Sequence, residues 1–133
     1  MIYAVIDTNV LVSALITHNP EAATAKVVRM LLGQDFVPLY DADIITEYNE
    51  VLHRPKFPIL KETADALISF IIENGIDSSR GSFEEPMPDE DDRMFYEVSL
   101  SQEDSFLVTG NIKHYPISPN VITPAQFLEI MQA

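Results

Sequence analysis

Oxygen ligands recur in this chain at positions that could bring them together. Tyr3-Ala4-Val5-Ile6-Asp7-Thr8-Asn9 is an apolar, β-rich run that ends in a carboxylate and two small polar residues. Phe106-Leu107-Val108-Thr109-Gly110-Asn111 repeats that layout near the C-terminus. In open α/β sheets, ligands sit just outside the carboxyl ends of the strands, so Asp7, Thr109 and Asn111 would share one edge. Glu47 lies on the margin of an apolar helical stripe, and Asp91-Asp92 close an acidic stretch ahead of Met94, Phe95 and Val98. Carboxylates that converge must either take up protons or recruit a cation. Hard cations such as Mg²⁺ take carboxylate and amide oxygens, so Asn111 could also serve through its carbonyl.

Each residue has a plainer reading. Asp7-Thr8-Asn9 is a good helix N-cap, and Asp91 or Asp92 could cap the next helix. Glu47 could be a surface glutamate, and an Asn after Gly is an ordinary turn residue. Glu97, on the other margin of the Met94 face, is a mid-helix glutamate of a kind usually solvated. His18, His53 and His114 show no metal-ligand spacing, and no phosphate-cradling glycine loop is present.

The elements that must position these residues alternate strand and helix. Residues 2–6 read as a strand, followed by a helix through Val10 to Leu15. Pro20 opens a second helix with the apolar stripe Val27, Val28, Leu31 and Leu32, stopped by Gly33. Phe36 to Tyr40 reads as a strand, and 42–53 as a helix ended by Arg54-Pro55. A further helix spans 61–74, with Leu67, Ile68, Phe70, Ile71 and Ile72 apolar and Asn74-Gly75 as its C-cap. A short strand follows over Ile76 to Ser79. Residues 84–92 hold six acids and two prolines and read as a loop running into a helix over 92–102. Strands at Phe106–Thr109 and Val121-Ile122 precede a terminal helix opened by Pro124. Strands separated by helices of this length imply βαβ units and a mostly parallel sheet.

With 133 residues, the chain reads as one domain spanning 1–133, able to bury a core. Its 47% hydrophobic content excludes disorder, and no apolar run approaches the ~18 residues of a membrane span. The absence of cysteine and of a basic N-terminal region leads us to expect a cytoplasmic protein without a signal peptide. The net charge of −13 opposes non-specific nucleic-acid affinity and suits a basic protein partner.

Taken in order and spacing, several segments make the chain resemble the PIN-domain family, in particular its toxins of toxin–antitoxin modules. They are Val5-Ile6-Asp7-Thr8-Asn9 with Val10 to Leu15, then Glu47 with Val51-Leu52-His53-Arg54-Pro55-Lys56-Phe57. Pro88-Asp89-Glu90-Asp91-Asp92 with Phe95 follows, then Leu107 to Asn111 with Lys113-His114-Tyr115-Pro116, and Thr123-Pro124-Ala125-Gln126-Phe127-Leu128-Glu129. The resemblance implies a three-layer α/β/α sandwich and an Mg²⁺- or Mn²⁺-dependent ribonuclease in which Asp7, Glu47 and Asp92 are the acids, with Asp91 as neighbour. At the family's fourth acid position this chain has Asn111, a lost charge that the resemblance leaves to Asp91 or Glu97 to offset. Thr8, Asn9 and Thr109 would orient the ligands, and Arg54, Lys56, Arg93 and Lys113 would meet the RNA backbone. A cognate antitoxin is the implied partner, and helices 20–33 and 61–74 could build a homodimer surface or simply be core. Two alternatives stay open: a non-catalytic interaction module, suggested by Asn111 and the acidic charge, and phosphoryl transfer to an aspartate, which would want an acid where Asn9 stands.

Overall fold

In the computed structural model, which describes residues 1–132, five parallel strands form one sheet in the order β3-β2-β1-β4-β5. The strands are β1 (Tyr3–Ile6), β2 (Val37–Tyr40), β3 (Ile76–Asp77), β4 (Ser105–Val108) and β5 (Val121–Ile122). Six α-helices accompany them: α1 (Thr8–Ile16), α2 (Ala23–Leu32), α3 (Ala42–Leu52), α4 (Lys61–Asn74), α5 (Arg93–Ser99) and α6 (Pro124–Gln132). Helix α1 packs on α2 and α3, α2 on α6 and α3 on α4, while α5 covers β1, β2 and β4. The result is a three-layer α/β/α sandwich. The chain leaves central β1 toward β2 and β3 and then returns to its other side as β4, so the topological switch point falls between β1 and β4.

The pattern of burial explains the layers. Ala4, Val5 and Ile6 are buried, as are Leu107 and Val108 beside them, so both faces of these central strands are apolar. Phe36 and Phe106 both meet Phe127 of α6 edge-on, with ring centroids 5.0 and 6.2 Å away. Buried Tyr48 of α3 donates its hydroxyl to the Ile6 carbonyl and fixes the end of β1.

Several element limits differ from the sequence reading. Helix α1 begins at Thr8, directly after Asp7. Helix α2 begins at Ala23 rather than at Pro20, because Asn19 turns the chain: its side chain accepts from the Glu21 N–H and its carbonyl from Ala22. Leu32 and Ile72 are exposed at the edges of their stripes. Gly33 does cap α2, but in a helical conformation; the left-handed residue is Gln34, at φ 60°. Gly75 is extended, and it is required by close approach: a Cβ there would lie 2.5 Å from the Pro38 carbonyl oxygen and 2.6 Å from that of Ile71. Strand β3 stops at Asp77, and β4 starts one residue early, at Ser105. The helix expected over 92–102 is a 3₁₀ turn at Glu90–Asp92 followed by α5, which ends at Ser99. There the Ser99 and Ser101 hydroxyls donate to the Tyr96 and Val98 carbonyls and compete with helix propagation. Among the described residues, no helix is long and apolar enough to cross a membrane.

Candidate active site

The parallel register that pairs Ile6 with Val108 brings the residues after each strand side by side. Asp7 is 4% exposed, and Thr109 is fully buried. Although Asp7 occupies the N-cap position of α1, its side chain makes no capping bond. One oxygen, Oδ2, instead accepts from Thr109 Oγ1 at 2.8 Å, Tyr115 Oη at 2.9 Å and Asn9 Nδ2 at 3.2 Å. Asn9 also accepts from the Gly110 N–H at 3.1 Å, and Thr109 Oγ1 from the Asn111 N–H at 2.9 Å. The loop carrying Asn111 is thereby locked against the end of β1.

Around this corner lies a cleft lined by Asp7, Thr8, Asn9, Glu47, Asp89, Asp92, Asn111 and His114, with Arg54 and an apolar wall of Val12, Ile16, Val51 and Phe57. Glu47 reaches it from α3, with its Oε2 3.5 Å from Thr8 Oγ1. Asp92 reaches it from the start of α5, its side chain 17% exposed and also free of capping duty. The capping is done by Asp89, whose Oδ1 accepts from the Asp91 N–H.

The electrostatics are those of crowded carboxylates. Burial pushes the Asp7 pKa up against the pull of its Thr109 and Tyr115 hydrogen bonds. Burial raises Glu47 as well, helped by the charges of Glu50 and Asp7. Asp92 is pushed up to about 6, first by burial and then by the charge of Asp7. Burial and the Asp7 charge likewise hold the Tyr115 hydroxyl protonated, so it serves as a donor.

Of the residues read from sequence, Asp7, Thr8, Asn9, Glu47, Asp92, Asn111 and Arg54 line one cleft, and Thr109 supports it from behind. Three others are corrected. Asp91 is exposed and absent from the cleft lining, because the 3₁₀ turn points it away from Asp92. Glu97 cannot offset the lost charge at Asn111. It accepts from the Phe83 N–H at 3.1 Å and pairs with Arg80 and Arg93 at 3.5 and 3.8 Å, tying residues 80–83 to α5. Arg93 is consumed inside the acidic loop, donating to Glu90 at 2.7 Å and to the Phe83 and Glu85 carbonyls. Lys56 lies 5.1 Å over the Phe57 ring at the rim. Lys113 lines the adjoining groove with Gly110, Ile112 and Thr123. Neither lysine has an ion-pair partner among the described residues.

Asp89, His114 and Tyr115 were missed as site residues. Asp89 stands three residues before Asp92, a spacing that one 3₁₀ turn places on one face. His114 and Tyr115 follow Asn111 closely, in the short turn Ile112–His114 and just after it.

A family model described as PIN domain matches residues 3–113. No curated protein and no solved structure matches the chain.

Proposed function

The chain belongs to the PIN-domain family, a nuclease superfamily whose members are as a rule metal-dependent hydrolases, and we propose that this protein is an endoribonuclease dependent on Mg²⁺ or Mn²⁺. The observation that carries the reading is the convergence of Asp7, Glu47 and Asp92, from three separate elements, on one cleft beside the Asn111 amide. Three partly buried carboxylates whose pKa values are all raised are an unfavourable arrangement unless a cation offsets them. The donor set of carboxylates and an amide carbonyl fits a hard divalent ion that retains several waters.

In this proposal Asp7, Glu47 and Asp92 hold the ion, with Asn111 as a neutral ligand. The bound cation supplies water activation and offsets charge on the phosphate. Thr109, Tyr115 and Asn9 fix one Asp7 oxygen by side-chain hydrogen bonds and so orient the carboxylate at the cleft. Thr8 orients Glu47. Arg54 meets the phosphodiester at the cleft mouth, and Lys56 and Lys113 extend that contact along the RNA backbone. A toxin of a type II toxin–antitoxin pair, working in the cytoplasm and silenced by a basic antitoxin segment over the acidic cleft, fits the −13 charge. A homodimer through the exposed edges of α2 and α4 belongs to the same proposal.

The test is cleavage of a mixed RNA pool with Mn²⁺ or Mg²⁺ by the parent, Asp7→Asn and an EDTA-treated control. We expect Asp7→Asn to lose at least about 100-fold in rate. Its melting temperature should stay unchanged or rise, because a buried charge is removed. Equal cleavage by parent and variant would sink the reading. No cleavage by either would favour a PIN fold kept for partner binding.

A further inference from the structure

Resting on that reading of the cleft, we propose that Asp89, Asp92 and His114 form a second divalent-ion position beside the one at Asp7 and Glu47, and that its mixed nitrogen and oxygen donors favour a first-row transition ion over Mg²⁺. One ligand atom from each of the three residues lies within 4.8 Å of the others. His114 Nδ1 is 3.0 Å from Asp92 Oδ2 and 3.6 Å from Asp89 Oδ2. Two donors each about 2.1 Å from one ion are about 3.0 Å apart at a right angle and about 3.4 Å apart at a tetrahedral one. The observed separations are therefore close to the edges of a coordination shell.

Both arms of the cluster are held in place. Asp89 Oδ1 is occupied by the Asp91 N–H at 3.0 Å, while Oδ2 is the oxygen nearer His114. His114 closes the turn that begins after Asn111, and its neighbour Tyr115 is anchored on Asp7 at 2.9 Å. The N-cap bond engages only Oδ1 of Asp89, so its second oxygen stays available beside the imidazole that Asp92 already meets. A cation would draw one oxygen from each carboxylate together with the imidazole nitrogen. Imidazole suits borderline transition ions, whereas Mg²⁺ prefers an all-oxygen shell rich in water. Asp92, between the two positions, is shared.

Pulsed electron paramagnetic resonance on the full chain loaded with Mn²⁺ tests this directly. The parent should show ¹⁴N modulation from a coordinated imidazole, absent in His114→Gln. The variant should bind its nitrogen-ligated Mn²⁺ about tenfold more weakly or worse, while Mg²⁺ affinity stays within about twofold. His114 is 45% exposed, so the substitution leaves the core untouched. Asp89→Asn, which keeps the imidazole, should weaken the same ion. Mn²⁺ bound by the parent without nitrogen modulation, or modulation that survives in His114→Gln, would overturn the second position and leave the nuclease reading standing. A parent that binds no Mn²⁺ at all would overturn both.

Discussion

Three donors hold a single oxygen of Asp7 in a place where burial works against its charge. Tyr115→Phe removes one of them, and a charged, buried acceptor that loses a partner costs about 1–3 kcal/mol. Because the folded pKa of Asp7 is raised, its ionisation costs stability as pH climbs through the acid range. Loss of the Tyr115 donor raises that pKa further, so denaturant unfolding should show a larger parent–variant gap at pH 8 than at pH 4. Asp92 behaves alike: held at about 6 against an ordinary 3.8, it withdraws stability from the metal-free protein as pH rises across that interval. The acids at strand ends and on helix margins were legible because periodicity places them, as with Asp7 and Glu47. The Asp92–His114 contact was not, since it joins positions 22 apart through two irregular turns that carry no periodic signal.

Helices α3 and α4 are joined by a charged staple. His53, at the end of α3, meets the Asn49 carbonyl through Nδ1 at 2.6 Å and Asp65 through Nε2 at 2.7 Å, and Lys61 meets the same carboxylate at 2.8 Å. Both ring nitrogens face acceptors, so the imidazolium satisfies both. The Asn49 carbonyl and the Asp65 side chain raise the His53 pKa, while Lys61 and His53 lower that of Asp65. The histidine's contribution is complete below its ordinary 6.5 and is lost as pH rises through the folded value. The carboxylate's is present above 3.8 and lost as pH falls through its lowered value. The melting-temperature difference between parent and Asp65→Asn should therefore peak near pH 5–6 and shrink by pH 8. Helix α4 was legible to the residue, because its apolar stripe and flanking Gly75 agree. The region after Asp92 was not, because serine hydroxyls that bond backward end α5 early.

For the molecule as a whole, eight basic side chains stand against twenty-one acids. The sheet order could be anticipated only as mostly parallel, since hydrophobic runs do not reveal which strand neighbours which. A chain of this charge repels polyanions, so RNA association monitored by stopped flow should quicken as salt rises from about 20 to about 150 mM, as the screening length contracts toward ~8 Å. A rate that falls over that range would mean a local cationic track outweighs the net charge. The pairing of β1 with β4 also bears on how the protein is made. Asp7 and Tyr115 are separated by 108 positions. At ~5–20 residues per second a ribosome needs about 5–20 s to travel between them. Throughout that interval the growing chain carries Asp7 without the Thr109 and Tyr115 hydroxyls that orient it. On the ribonuclease reading proposed above, an enzyme wired this way would gain its competence only after Thr109 and Tyr115 have been made, which would shield the message during that interval.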